Sequence, residues 1–185
     1  YAWELDSVRG QLWPRVVHAE AYWDWRRASG AWRSVQRTVL SHLNRQVGEA
    51  GHYWDVSDGH PPLLRVSERP PTEERPFTVL STVGMCGQRM PTLDRYMANT
   101  SQYARVELAL ATTLPAHHAA RIFRWIGAFP WRAVTWFGHG HTVKWLDNSE
   151  DRAMRGGAGA VLLLSDPSPL SLHTGHRPPD TSGLS

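Results

Sequence analysis

Few residues in this chain have the type and spacing to do chemistry. His139 and His141 form an H-x-H pair behind an apolar stretch. On an extended segment both imidazoles would face one way, as two ligands of one metal must. A third ligand would have to come from His52, His60 or Asp147, and no spacing ties any of these to the pair. The preferred reading is instead a Gly-His-Gly-His turn whose imidazoles bond the backbone. His117 and His118 are adjacent on a predicted helix, where neighbouring side chains diverge by about 100°, which does not suit a single metal. Cys86, the only cysteine, stands in Gly84-Met85-Cys86-Gly87. A nucleophilic thiol needs a lowered pKa and a neighbouring base. No base is identifiable here, so Cys86 reads as a small turn residue. Ser81 and Ser165 lie in no nucleophile motif, and no phosphate loop, dinucleotide fingerprint or HExxH is present. Glu107 projects from a predicted strand, either inward with a role or outward to solvent, and the solvent face is preferred. The expectation is a protein without a catalytic set, cofactor or metal. The alternative is a metal- or thiol-dependent enzyme built on His139, His141 or Cys86.

The elements that position these residues centre on 75–91. Phe77 to Val83 is rich in β-branched and aromatic residues and reads as a strand. It delivers the glycine-bracketed turn holding Cys86, and Met90-Pro91 closes the segment. Upstream, residues 1–50 read as helical, with Trp13-Pro14 breaking or beginning a helix. From Trp32, the apolar residues Val35, Val39, Leu40, Leu43 and Val47 recur at three- and four-residue spacing, the pattern of an amphipathic helix. Residues 52–56 and 63–66 suit short strands. Residues 67–76 read as a polar, proline-rich surface loop with solvated charges, Glu68 and Arg69 among them. Downstream, residues 105–112 alternate as a strand. Residues 116–129 suit a helix ended by Pro130. Residues 134–137 and 142–146 suit strands, and Ala160 to Ser165 is a continuous apolar run suited to a central strand covered on both faces. From Asp166 onward the composition is that of a disordered tail. Strands and helices do not alternate strictly. The predicted fold is therefore α+β, a single domain with a mixed central β-sheet flanked by α-helices. Its parts are an N-terminal helical segment over 1–51, an α/β domain over 52–169 and a polar tail over 170–185.

With 185 residues, the chain can build one domain with a real core. No apolar run approaches the roughly 20 residues of a membrane helix, and nothing near Tyr1 looks like a signal peptide. One cysteine leans towards a reducing compartment, with the cytoplasm as the default. The net charge of +3 comes almost wholly from arginine, since Lys144 is the only lysine. The arginines alternate with Asp and Glu and form no block, which disfavours nucleic acid as a partner.

Several segments together resemble the suppressor of fused domain family. Pro61-Pro62, then Arg75 to Met85, then Met90-Pro91, are similar to its proline-led core strand and the loop that follows. Arg105 to Leu108, Ile122 to Gly127, Phe137 to Val143 and Ala158 to Pro167 resemble later segments of the family, in order. The resemblance runs from about His52 to about Pro169. Cys86 stands where a serine is usual, and the polar tail from Ser171 stands where the family continues. The resemblance implies a sheet flanked by helices and a non-catalytic, protein-binding role. Animal members hold a transcription factor, and bacterial members look like immunity proteins of toxin systems. No catalytic residues carry over. The expected partner is therefore a protein, and the bacterial members imply a toxin. Expected contacts are Trp23, Trp25 and Arg26 on the first helical segment, because Trp and Arg are typical interface anchors, with Met85 and Met90 on the loop.

Overall fold

The computed structural model describes residues 2–57, 63–98, 100, 104–144 and 160–162. Helix α1 spans Ala2–Ser29 and α2 spans Ala31–Gln46. Strands β1 (Tyr53–Asp55), β2 (Arg65–Arg69), β3 (Thr78–Val83) and β4 (Ala109–Thr112) follow, then α3 (Ala116–Arg132), β5 (Thr142–Lys144) and β6 (Ala160–Leu162). The four strands β1 to β4 form one sheet in sequence order, and β5 pairs with β6 in a second sheet. The α+β class holds, and every pairing among the described strands is antiparallel.

Register places the two helices that matter most for the sheet. Tyr53, Ser67, Ser81 and Ala109 lie opposite one another across the four strands, and so do Arg69, Val79 and Ala111. Cross-strand partners share a face. Gln36 of α2 donates to the Tyr53 hydroxyl at 2.7 Å and Asn44 of α2 accepts from Arg69 at 2.8 Å, so α2 covers this face. The opposite face carries Val66, Leu80 and Leu110, which pack in the main core with Ala119, Phe123 and Ile126 of α3. Covered on both sides, β3 is buried at all six positions. That is why Thr-Val-Leu-Ser-Thr-Val shows no polar alternation. Gly127 lets α3 close on the sheet, because a Cβ there would collide with the Leu64 side chain.

Several predicted boundaries move. Helix α1 runs through Pro14. One missing N–H is outweighed by Leu12, Val16 and Ala19, which bury one stripe of the helix on both sides of the proline. The break falls at Gly30, whose φ of 74° is left-handed. Helix α3 likewise passes Pro130, which sits in its last turn and is buried beside Trp131. Residues 134–137 form no strand, because Val134 takes a φ of 50° and turns the chain. The strand expected over 105–112 is confined to Ala109–Thr112. The predicted loop over 67–76 starts three residues late. Ser67, Glu68 and Arg69 belong to β2 and all three are buried. Of the apolar run from Ala160, residues 160–162 form a strand that pairs with β5 alone among the described strands, and its residues 163–165 lie outside the described residues, as does the tail over 170–185.

Candidate functional site

The segment after β3 is shaped by its own main chain. Gly84 has a φ of 120°, which side-chain-bearing residues rarely adopt. A Cβ at Gly84 would also strike the ring of Trp32 from α2 and the Leu63 carbonyl. Met85–Gly87 then form one 3-10 turn, closed by Gly87 N–H donating to the Gly84 carbonyl at 3.0 Å.

Glu107 holds this turn from the adjacent chain segment. Its Oε1 accepts from the backbone N–H of Gly84 at 2.7 Å and of Cys86 at 3.2 Å. Its Oε2 accepts from the Thr82 hydroxyl at 2.6 Å and from Met85 N–H at 3.3 Å. Successive N–H groups turned toward one carboxylate make a nest, a concavity suited to negative charge. The Thr82 hydroxyl in turn accepts from Leu108 N–H at 2.7 Å. Glu107 therefore faces inward, contrary to the solvent-facing expectation. The reason is that residues 105–108 precede β4 and do not follow a strand's alternation. Arg105 holds the other side of the turn, donating to the Gly87 carbonyl at 2.7 Å and the Cys86 carbonyl at 3.2 Å.

Beyond the turn, Gln88 to Asp94 face α1 across a cleft of about 420 Å³. Pro14, Arg15, His18 and Ala19 line its helix side. Arg15 closes one end, donating to Asp94 at 2.7 Å and to the Pro91 carbonyl at 3.0 Å. The hydrogen bond from Arg15 holds the Asp94 carboxyl below its ordinary value. Arg95 donates to Gln11 at 2.9 Å, a second tie between helix and loop. Met90 anchors the loop from beneath. Its N–H donates to the Ala104 carbonyl at 2.9 Å, and its Sδ accepts from Phe137 N–H at 3.1 Å. The lining combines apolar surface from Pro14, Ala19, Met90 and Pro91 with the exposed cation Arg89. Such a mixture can hold a polypeptide segment that presents an apolar side chain beside a carboxylate.

The predicted site residues scatter. Trp23, Trp25 and Arg26 fall within α1, but their side chains lie outside the described residues. Met85 is fully buried in the core and offers no surface to a partner. Met90 is also buried, yet it reaches the cleft wall. Cys86 is half-buried in the turn held by Glu107. His139 and His141 do not sit on an extended segment. They flank Gly140 in a turn closed by His141 N–H on the Gly138 carbonyl at 3.2 Å, and the His141 ring packs edge-on against Trp136. Of the possible third ligands, His60 and Asp147 lie outside the described residues, and His52 bonds to Glu68 at 2.7 Å. Among the described residues, no group of three His, Cys, Asp or Glu side chains is placed to hold a metal ion. Nor is any described helix long and apolar enough to cross a membrane.

Sequence reasoning passed over Glu107 as a clamp and missed Arg15, Asp94 and Arg105 altogether. A carboxylate in line with a glycine-rich turn after a buried strand was a usable signal for Glu107. Arg15 and Asp94 are 79 residues apart and carried none. Comparison with known proteins supplies one finding. The family model described as suppressor of fused protein (SUFU) matches residues 59–179, about two thirds of the chain. Neither a curated protein nor a solved structure matches it.

Proposed function

Because the chain belongs to the suppressor of fused protein family, we propose that it acts as a non-catalytic protein-binding domain, most concretely an immunity-type protein that binds and neutralises a partner toxin. The cleft between α1 and residues 88–94 is its partner surface, together with the part of α1 that contains Trp23, Trp25 and Arg26. The observation that best supports this reading is the clamp on Glu107. Three of its four hydrogen bonds hold the turn that leads into the cleft wall, and the fourth ties it to Thr82 at the end of β3. The carboxylate nearest Cys86 is thus committed to fixing main-chain shape. A loop fixed before binding loses less conformational entropy on association. Arginine at the cleft rim suits an acidic partner and favours rapid association.

The test is co-expression with candidate toxins encoded nearby, scored by a stoichiometric complex and by rescue of growth. Arg89→Glu should weaken that complex at least tenfold, because it sets like charges against each other in the cleft. A toxin that still binds equally well to Arg89→Glu and to the combined Trp23→Ala, Trp25→Ala, Arg26→Ala variant would remove this surface from the reading. Absence of any complex and of any rescue would remove the immunity role itself.

A further inference from the structure

The turn that walls the cleft has a second flank, and it is aromatic. Among the described residues only three large apolar side chains are well exposed, Trp13, Val17 and Tyr96, and Tyr96 is the most open at 62%. Tyr96 closes the 3-10 turn at Leu93–Arg95, its N–H donating to the Leu93 carbonyl at 3.0 Å. Asp94 of that turn meets Arg15 at the cleft. The Tyr96 ring instead stacks on Trp136, with centroids 6.2 Å apart and planes 25° from parallel. The His141 ring meets the same indole edge-on at 4.5 Å. Gly138 makes room for this indole, because a Cβ there would strike the Trp136 ring, and Trp136 packs against the core. Tyr96, Trp136 and His141 thus form a continuous row of rings, seated on the core and open to solvent at Tyr96.

His141 leads directly into β5, and the register of the second sheet shows which segment arrives beside it. Strand β6 runs antiparallel to β5, with Ala160 opposite Lys144 and Leu162 opposite Thr142. The chain therefore leaves β6 at the His141 end of β5, toward the row of rings. The next residues are Leu163-Leu164-Ser165-Asp166-Pro167-Ser168-Pro169-Leu170, which lie outside the described residues. Five residues span up to about 17 Å, so Pro167 can reach from Thr142 across His141 and Trp136 to Tyr96. Proline fixes its own φ near about −65° and disfavours the helical region for the residue before it, so Pro167 and Pro169 bias this stretch toward polyproline II. With about three residues per turn in that helix, Leu164, Pro167 and Leu170 share one face. Proline-rich segments in this conformation dock on aromatic surfaces at low entropic cost.

We propose that residues 163–170 of this chain dock as a polyproline II segment along His141, Trp136 and Tyr96, with Leu164, Pro167 and Leu170 against the rings. The docked segment covers Tyr96 and braces the 92–97 turn from the side opposite the cleft.

The experiment is hydroxyl-radical footprinting of the full chain, with oxidation of each tyrosine read by mass spectrometry. It is run on the native protein and on a variant carrying Leu164→Ser, Pro167→Gly and Leu170→Ser. Tyr53, whose hydroxyl bonds to Gln36 under α2, reports on the fold and should react equally slowly in both. A segment docked about four-fifths of the time shields the ring beneath it about fivefold. Tyr96 should therefore be oxidised about fivefold faster in the variant, and its protection in the native protein should survive dilution. Where Tyr53 also reacts faster in the triple variant, Pro167→Gly alone, which keeps both leucines, decides the same comparison. Equal Tyr96 rates in the native protein and the variant overturn the proposal and leave the rings to a different protein. Protection that fades on dilution overturns it too, and assigns the surface to a second copy of the chain.

Discussion

Glu107 is half-buried and carries four hydrogen bonds, three of them from backbone N–H groups that cannot be replaced by moving a side chain. Removing the acceptor leaves those donors unsatisfied, and an orphaned donor costs about 1–3 kcal/mol. Glu107→Ala should therefore lower unfolding stability by about 3 kcal/mol in urea, and Glu107→Gln, which keeps one acceptor oxygen, by roughly half as much. Equal losses in the two would show that the one oxygen glutamine keeps adds nothing by itself. Tyr53 allows a different test. Burial pushes its phenol up from 10.0 to about 12, with Gln36 donating to the hydroxyl. The folded state thus holds a proton that the unfolded chain has released. Stability from this group is complete below pH 10.0, falls as pH rises and is gone above about 12. Tyr53→Phe should flatten that part of the stability profile relative to the native protein. An unchanged slope between pH 10 and 12 would refute the assignment.

At the level of elements, α1 is joined to the loop by a long-range ion pair at the surface. Arg15 and Asp94 expose 48% and 46% of their side chains, so their bond adds little to global stability, under about 1 kcal/mol. Its effect is local. Arg15→Ala should leave the unfolding midpoint almost unchanged while speeding amide hydrogen exchange in residues 10–20 and 91–95. Unchanged exchange would mean that Leu12, Val16 and Ala19 alone seat the helix. Since the Asp94 carboxyl is depressed, acid should reproduce the effect only as pH falls below 3.8. Helices α2 and α3 and the buried strand β3 were legible in the sequence because each satisfies one strong rule, a 3.6-residue apolar stripe or a run of β-branched residues. The two prolines inside helices were not. A proline's local cost is visible in sequence, whereas the tertiary burial that overrides it is not. Glu68 and Arg69 were misread for the same reason: a polar run next to Pro70-Pro71 looks solvated until α2 and His52 supply its partners.

For the whole molecule, the family match begins at residue 59, yet the core does not. Leu12, Val16 and Ala19 of α1 and Val56 pack in the same cluster as Leu80, Phe123 and Ile126. Strand β1 also lies before the matched segment. A chain shortened to begin at His52 should therefore lose dispersed amide resonances and bind a hydrophobic dye, whereas the full chain should unfold in one cooperative transition. A well-dispersed spectrum from the shortened chain would show that α1 and α2 are accessory. The resemblance was legible at this scale because it rests on the order of several weak segments. The cleft was not, since it is made by two segments that meet only after α1 has folded back on the loop.

The clamp on the 84–87 turn also bears on how this surface can change over generations. Glu107 and Arg105 grip main-chain atoms of Gly84, Met85, Cys86 and Gly87, groups that every residue type except proline supplies in full. The turn's path is thereby decoupled from the side chain at position 86, and beyond it Gln88 and Arg89 look outward into the cleft. Substitutions can accumulate at these positions without redrawing the backbone beneath them. A protein built in this way can follow a partner that keeps altering its own surface, trading contact residues while the scaffold that presents them stays put.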